Sequence, residues 1–168
     1  SLFGMMINDG EKSIFMDDTA GISITELRSK CRRLKADSGL DFIMIDYLQL
    51  MTSEGRNENR QQEISTISRN LKALAKELDV PILALSQLSR DSEKSGRKPK
   101  LSDLRESGAI EQDADVVILL NREDYQDKEK EEEVQNEIEL IIAKHRNGEI
   151  GSIKLNFIKE YSRFLDLQ

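Results

Sequence analysis

The stretch Phe42-Ile43-Met44-Ile45-Asp46-Tyr47-Leu48-Gln49-Leu50 decides the fold, because four apolar residues lead directly into an aspartate. An unbroken apolar run predicts a strand buried on both faces, as in a parallel sheet covered by helices. In such sheets ligands bind beyond the carboxyl ends of the strands, which is where Asp46 lies. A carboxylate there can hold Mg²⁺, usually through water, beside the phosphates of a nucleotide. The same pattern also fits a buried strand that merely ends in a polar residue.

Length and composition exclude several classes of protein. The chain has 168 residues, which suits one domain, and no apolar stretch approaches the roughly 20 residues that a membrane span needs. We therefore expect no membrane partner. The single cysteine, Cys31, cannot form an internal disulfide, which favours a cytoplasmic protein, and we interpret it as a small buried hydrophobic residue.

Charge is distributed unevenly. The net charge is −7, but residues 127–139 hold seven acids and two lysines and so contribute −5 of it. The remainder carries only −2, so a nucleic-acid partner is not excluded. We predict that residues 127–137 form an acidic, solvated excursion and that the polar, basic residues 91–100 form a mobile loop.

Periodicity predicts the remaining elements. Ser23 and Glu26 suit a capping box at the start of a helix that Gly39 ends. The basic face of this helix is either solvated, which we favour, or in contact with a partner. A second helix is predicted from about residue 58 to 78, with a buried stripe. That stripe is Ile64, Ile67, Leu71, Leu74 and Leu78, and strands are predicted at 13–17, 42–45, 81–85, 116–120, 138–143, 152–158 and 163–167.

This order of elements predicts an α/β fold: a mostly parallel sheet flanked by helices, with antiparallel strands at one edge. Three of the strands end in groups suited to a nucleotide. They are followed by Asp46, by Gln87, and by Lys144 with Arg146. An amide can hydrogen bond a phosphate oxygen or a positioned water, and an arginine can direct two donors onto phosphate. Alternatively, Gln87 caps its strand and the two cations pair with surface carboxylates, and His145 between them is a surface or structural residue.

Several motifs in this order resemble the DnaB-type replicative DNA helicases of bacteria and phages, over about residues 13–167. The matching segments are 31–35, Ile45-Asp46-Tyr47-Leu48-Gln49-Leu50, 60–63, 85–90, Arg105-Glu106-Ser107-Gly108, 110–115, Lys144 and 146–148. The resemblance implies that residues 1–168 are the C-terminal part of one RecA-like ATPase domain. It further implies a homo-hexamer that uses ATP and Mg²⁺, moves 5′→3′ on single-stranded DNA, and works with a primase and a helicase loader.

The same resemblance assigns roles to individual residues. Asp46 becomes the Walker B carboxylate, which holds Mg²⁺ through water, and Gln87 the sensor of the γ-phosphate. Lys144 and Arg146 act on the ATP of a neighbouring subunit, with Arg146 as the arginine finger. Arg105, Glu106 and Gly108 lie on the loop that grips the phosphates of single-stranded DNA in the channel of the ring, for which a glycine backbone and one arginine suffice. The alternative for Arg105 is a surface ion pair with Asp103 or Glu106.

One departure from the family is plain. A P-loop needs Gly-Lys followed by Ser or Thr, and none of the nine glycines precedes a lysine. We therefore expect this stretch alone to be inactive towards ATP. Two other interpretations stay open: another RecA-like ATPase of the recombinase type, and a non-catalytic module that partners a complete motor.

Overall fold

The computed structural model describes residues 7–9, 12–53, 59–89, 97–122 and 137–166. The chain divides into two compact units, residues 1–87 (unit 1) and 88–168 (unit 2). Among the described residues no helix is long and apolar enough to cross a membrane. The assignment of both units to one ATPase domain stays a prediction.

Unit 1 is built around one parallel strand pair. Strands β3 (Ile43–Ile45) and β4 (Ile82–Ala84) pair in parallel, with Met44 opposite Leu83. Helix α2 (Arg60–Leu78) connects them, since parallel strands need a long crossover connection. Helix α1 (Ile24–Ser38) precedes β3. A short antiparallel pair, β1 (Ile7–Asp9) and β2 (Lys12–Ile14), begins the chain, so the strand predicted at 13–17 lies slightly earlier than expected.

The helix boundaries follow from capping residues. The Ser23 hydroxyl accepts a hydrogen bond from the Glu26 amide at 3.1 Å, and α1 ends at Gly39 with a positive φ of 82°. Helix α2 begins at Arg60, because Asn59 accepts from the Gln62 amide at 2.9 Å. The cap signals in the sequence therefore predicted both ends of α1. The predicted range of α2 ends at the observed residue, Leu78, and begins about two residues too early.

The core of unit 1 lies on one face of the β3–β4 pair. The predicted stripe of α2 is buried throughout, and Leu74 and Leu78 pack with Cys31 of α1 and Ile43 of β3. Cys31 is thus the small buried residue that we predicted, and burial raises the pKa of its thiol. Both helices cover the face that carries Ile43. The opposite face is open in the described residues, since Met44 is 62% and Leu83 41% exposed, so the prediction of burial on both faces is wrong here.

Unit 2 is a short helical segment followed by an antiparallel sheet. A 3₁₀ helix (Leu101–Ser107) continues into helix α3 (Gly108–Asp113). Strands β5 (Val116–Arg122), β6 (Glu137–His145), β7 (Gly151–Ile158) and β8 (Arg163–Asp166) then pair in sequence order, every pair antiparallel. Leu104 of the 3₁₀ helix packs with Val117 and Leu119 of β5.

The strands predicted in this half are present, with two differences. Residues 116–120 are an unbroken apolar run, which predicts a strand buried on both faces. Burial along β5 instead alternates, so Ile118 and Leu120 are exposed. Among the described strands, parallel pairing is confined to β3 and β4, so antiparallel strands form more of the structure than an edge. Short connections such as the turn between β6 and β7 allow only antiparallel neighbours. Residues 90–96 and 123–136, which include most of the predicted loop and acidic excursion, lie outside the described residues, and Glu137 already belongs to β6.

Candidate nucleotide and nucleic-acid site

Asp46 and Gln87 follow the carboxyl ends of two neighbouring parallel strands. Asp46 comes directly after β3, and Gln87 lies three residues beyond β4. Both side chains are exposed, and neither forms a hydrogen bond or ion pair with any other part of the chain that the structure describes. The structure thus brings these two predicted residues to one edge of unit 1, with their polar groups available to a ligand.

Gln49 fixes the backbone at this edge. Its Nε2 donates to the Ser86 hydroxyl at 2.9 Å, and its Oε1 accepts from the Gln87 amide at 3.3 Å. The Leu48 amide donates to the Leu85 carbonyl at 2.9 Å, which extends the contact between the two strands. We did not predict a role for Gln49 of its own. The available signal was a single amide side chain between two leucines, three residues after the aspartate.

The start of α2 supports the same edge. The Arg60 guanidinium donates to the Gln49 carbonyl and to the Glu63 carboxylate. Glu63 also accepts from the Ser53 amide at 3.2 Å. Burial alone would raise the pKa of Glu63, but the Ser53 amide and Arg60 together hold it below its ordinary value. Segment 60–63, which resembled the helicases, therefore holds the backbone of Gln49.

A divalent ion at this edge would have one protein ligand. The described residues contain no group of three or more histidine, cysteine or acidic side chains that could hold a metal. An exposed lone aspartate suits Mg²⁺, which commonly keeps several waters and takes its other ligands from substrate phosphates. The donor set therefore fits a nucleotide-bound Mg²⁺ held through water and does not fit a metal caged by protein alone.

Asp46 also lines an open groove of about 510 Å³ in unit 1. Two other charged residues that line the groove are already paired, since Lys30 contacts Asp17 at 2.8 Å, and Lys30 also contacts Glu26 at 3.0 Å. Hydrogen bonds from Lys30 and Thr19 lower the pKa of Asp17 to about 2. Phe42 and Met44 line the groove as well, so much of its wall is the exposed apolar face of β3.

The basic face of α1 is mainly structural. Arg28 and Arg32 both contact Glu77 of α2, and Lys35 donates to the Leu78 carbonyl. This pairing lowers the pKa of Glu77, chiefly through Arg32. Arg32 and Arg33 of this face are exposed, as we expected for a solvated face, and Arg28, Arg32 and Lys35 in addition tie α1 to α2.

In unit 2, Lys144 and Arg146 meet at the C-terminal end of α3. Lys144 Nζ donates to the carbonyls of Glu111 at 2.5 Å and Gln112 at 3.3 Å. Arg146 donates to the Gln112 carbonyl at 3.3 Å and lies 3.2 Å from a carboxylate oxygen of Asp115. Its amide donates to the Asp115 carbonyl at 2.8 Å. Cations suit a helix C-terminus, where carbonyls lack partners within the helix.

The turn after β6 holds His145 in place. His145 is exposed, with Nδ1 3.3 Å from the Glu149 carbonyl, and a Cβ on Gly148 would overlap its ring. This arrangement agrees with the surface or structural role that we expected. It also makes Gly148 the residue that leaves room for the ring.

The residues predicted to grip DNA occupy helical backbone rather than a loop. Arg105 and Glu106 belong to the 3₁₀ helix, and Gly108 opens α3 with an ordinary right-handed φ of −49°. The side chains of 105–107 lie outside the described residues. Gly108 is exposed, and nothing lies within 4 Å of where its Cβ would be. The glycine is therefore not needed for an unusual conformation here, and its exposed backbone is open to a ligand.

The segment before this 3₁₀ helix is anchored at its described end. Arg97 donates to both oxygens of Asp103, and Lys98 lies 2.7 Å from Glu139 of β6. Residues 97–100 form a loop, as we predicted, but two of their cations bind carboxylates, which differs from the mobile loop that we expected. Asp103, three residues after Lys100, could have been recognised as a residue that caps the start of a helix.

Comparison with known proteins agrees with these motifs. The profile of the family described as "DnaB-like helicase C terminal domain" matches residues 5–166. The chain is 56% identical over 167 residues to replicative DNA helicase DnaC of Bacillus subtilis. It is also 56% identical to replicative DNA helicase DnaB of Geobacillus stearothermophilus. Each match covers 98% of this chain but 36% of the relative, so the chain spans about a third of the length of these curated relatives.

Solved structures confirm the fold class. One structure, described as an ATPase domain, superposes with a TM-score of 0.85 at 50% identity, covering 94% of this chain and 56% of that one. A DnaB-like replicative helicase, studied with its primase interactions, gives a TM-score of 0.84 at 50% identity, covering 93% and 39%. The α/β architecture is thus that of a RecA-like ATPase domain, and the chain belongs to the family of DnaB-like helicase C-terminal domains.

Proposed function

We propose that this chain is part of the motor of a hexameric, ATP-dependent replicative DNA helicase. It moves 5′→3′ on single-stranded DNA and hydrolyses ATP between subunits. The observation that carries the proposal is the edge formed by β3 and β4. Asp46 is exposed there, and the Gln87 backbone is fixed beside it by Gln49 at 3.3 Å. Polar groups at the carboxyl ends of parallel strands are where α/β proteins bind nucleotides.

At this edge Asp46 and Gln87 take complementary roles. Asp46 holds Mg²⁺ through water, and bound Mg²⁺ neutralises charge on the nucleotide phosphates. Gln87 directs its amide at the γ-phosphate or at the attacking water, since an amide both donates and accepts hydrogen bonds. Gln49 keeps Gln87 in place, because its side chain contacts the backbone of Gln87 as well as the Ser86 hydroxyl.

Lys144 and Arg146 serve the ATP of the neighbouring subunit, with Arg146 as the arginine finger. The support comes from their acceptors: two backbone carbonyls and the exposed carboxylate of Asp115. A carbonyl is neutral, whereas a phosphate carries full charge and makes stronger, charge-assisted hydrogen bonds. These cations can therefore exchange their present acceptors for a phosphate.

Arg105, Glu106 and Gly108 contact the strand in the ring's channel. Gly108 contributes an exposed backbone and Arg105 a positive charge, which together suit binding to phosphates without sequence preference. Glu106 acts through its backbone or by a tie to Arg105. Six copies in a ring concentrate such contacts even though the chain is acidic overall. The cytoplasmic partners of the ring are a primase and a helicase loader.

Unwinding of forked DNA by the longer protein that contains this segment tests the proposal. Streptavidin on a biotin in the 5′ tail should block strand separation, whereas the same block on the 3′ tail should not. The reaction should require ATP and Mg²⁺, and Asp46→Asn should abolish it. ATP-dependent strand exchange without unwinding would indicate a recombinase instead. The absence of ATP turnover in an intact, folded protein would indicate a non-catalytic module.

A further inference from the structure

Two adjacent cations precede the residues proposed to contact DNA, and they are anchored to different places. Arg97 binds Asp103, which lies in the same 3₁₀ helix as Arg105 and Glu106. Lys98 binds Glu139, which lies in β6. The two side chains carry the same charge at adjacent positions. Substituting each in turn therefore separates the effect of a lost charge from the effect of a lost contact.

The contact between Arg97 and Asp103 is a two-pronged ion pair. Arg97 donates from Nη1 to one carboxylate oxygen at 2.9 Å and from Nη2 to the other at 2.6 Å. Asp103 is only 6% exposed, and it also accepts from the Lys100 amide at 2.7 Å. This geometry fixes the direction of the guanidinium, unlike the single contact that a lysine makes. Asp103 in turn holds the guanidinium close to the start of the 3₁₀ helix.

Asp103 is held from its backbone as well. Its carbonyl accepts a hydrogen bond from the Ser89 amide at 3.2 Å, and its amide donates to the Lys100 carbonyl at 2.9 Å. The next residue, Leu104, is buried against Val117 and Leu119 of β5. The first turn of the 3₁₀ helix is therefore fixed by a side-chain ion pair, two backbone hydrogen bonds and an apolar contact. The residues proposed to contact DNA begin directly after it.

We propose that Arg97 and Asp103 are positioning residues for DNA binding: their ion pair orients the 3₁₀ helix that presents Arg105 and Glu106 to the strand. The inference rests on the proposed function, because it assumes that residues 105–108 contact DNA. Arg97 acts through Asp103 and does not itself bind phosphate. Its guanidinium is already directed at both oxygens of a buried carboxylate.

The competing explanation is that Arg97 is simply a basic residue that touches DNA. The two explanations predict opposite signs for Asp103→Asn. If Arg97 binds phosphate, removing the negative charge of Asp103 releases Arg97 and strengthens binding to single-stranded DNA. If the pair positions the helix, the same substitution weakens binding, although it makes the protein less acidic.

The experiment measures binding of fluorescent oligo(dT) by the longer, ring-forming protein with a non-hydrolysable ATP analogue present. We expect Arg97→Ala to weaken binding roughly tenfold, the equilibrium equivalent of a charge-assisted hydrogen bond. Asp103→Asn should weaken it by several-fold. Lys98→Ala is the matched control, because it removes the same charge from the adjacent residue and breaks the contact to β6 while leaving Arg97 and Asp103 in place. We expect it to weaken binding by less than about threefold, as for an exposed ion pair.

Two further measurements separate positioning from general damage. Hydrogen exchange should show loss of protection confined to amides in and next to the 3₁₀ helix, with β5 to β8 unchanged. If Arg97→Ala does not fold, Arg97→Lys keeps the charge but removes the two-pronged contact, and it should still weaken binding. Weakening by Arg97→Lys then supports the inference, and parental affinity overturns it.

Failure of this inference and failure of the proposed function give different results. A parent protein that does not bind oligo(dT) contradicts the proposed function itself. If the parent binds and Arg105→Ala weakens it, the proposed contact stands and the inference is tested separately. Equal weakening by Arg97→Ala and Lys98→Ala, or tighter binding by Asp103→Asn, would overturn the positioning role alone.

Discussion

The cations of helix α1 in unit 1 and the cations at the end of α3 in unit 2 bind acceptors of different charge. Three cations of α1 bind full negative charges: Arg28 and Arg32 contact Glu77, and Lys30 contacts Asp17 and Glu26. Among the described residues, Lys144 binds backbone carbonyls at the end of α3, and Arg146 binds a carbonyl and an exposed carboxylate. An incoming phosphate displaces a neutral acceptor more easily than an ionised one. We therefore expect these three cations of α1 to hold the structure together and the cations at the end of α3 to be able to act on a ligand.

The largest effect is expected for Arg146→Ala in the longer protein. If Arg146 is an arginine finger, ATP turnover should fall roughly 10³-fold or more, the range for removal of such a residue. The matched control is Arg32→Ala in unit 1, which removes an exposed arginine paired with Glu77 and should leave turnover nearly unchanged. Steady-state phosphate release measures both variants.

Subunit mixing tests whether Arg146 acts between subunits. Rings that combine Arg146→Ala with Asp46→Asn subunits should recover part of the activity, because some interfaces then contain an intact Asp46 and an intact Arg146. Mixed rings, verified by mass spectrometry, that are no more active than either parent would show that Arg146 does not act in trans.

A smaller effect is expected for Arg105→Ala, which tests the DNA-facing part of unit 2. Binding to single-stranded DNA should weaken to a similar degree on unrelated sequences, because phosphate contacts carry no sequence information. The dependence of log affinity on log salt should flatten by about 0.7 for each phosphate that the variant no longer binds. Salt titrations of parent and variant, with folding checked by thermal unfolding, provide the measurement. Parallel slopes and equal affinities would mean that Arg105 does not contact the strand.

Asp115→Asn tests how strongly the Asp115 carboxylate binds Arg146. Arg146 is 48% and Asp115 52% exposed, so their ion pair contributes at most about 1 kcal/mol. Because this contact competes with engagement of a neighbouring subunit, its removal should raise ATP turnover by up to about fivefold. Lower turnover would instead indicate that Asp115 orients Arg146 for its task.

The smallest effect is expected for the ion pair between Asp17 and Lys30 in unit 1, and it concerns the stability of the fold. The pKa of Asp17 is lowered from 3.8 to about 2, chiefly by the hydrogen bond from Lys30. A lowered pKa stabilises the fold above the unfolded value, and this contribution disappears as the pH falls from about 4 towards 2. Since the group is partly exposed, solvent screening limits the contribution to about 1 kcal/mol or less.

Urea unfolding of the parent and of Asp17→Asn at pH 6 and pH 3 measures this contribution. The variant should be less stable at pH 6, and the difference should shrink at pH 3. Asp18→Asn removes the neighbouring carboxylate and serves as the control. A difference between parent and Asp17→Asn that does not change with pH would contradict the role of the ionised carboxylate.

Local patterns in the sequence predicted local structure well. The stripe of α2 repeats every three or four residues, and the caps at Ser23 and Gly39 act within a few residues, so both could be found without knowledge of the fold. The positions of Asp46 and Gln87 after the ends of their strands could be predicted, because the apolar pattern of each strand indicates where it ends. The exposure of one face of β3 could not be predicted, since an apolar run does not reveal whether other segments cover both of its faces.

The contacts of the candidate site residues in unit 2 were the least predictable. Lys144 donates to carbonyls more than thirty residues earlier in the chain. Since every residue has a backbone carbonyl, the sequence does not indicate which one a lysine binds. Arg97 and Asp103 are close in sequence, but their pairing depends on a 3₁₀ helix that we predicted as a loop. Resemblance to a family supplied candidate residues in this region, and the structure supplied their present partners.

Helix α3 has one consequence for how DNA and ATP influence each other. Its six residues span about 9 Å. They begin at Gly108, proposed to contact DNA, and end at the carbonyls that hold Lys144 and Arg146. If strand binding loosens the far end of this helix, thermodynamic reciprocity requires that engaging the neighbour's phosphate tightens strand binding by the same factor. Binding of DNA at one end of α3 and binding of the neighbour's phosphate by Lys144 and Arg146 at the other end would then be coupled in a single equilibrium.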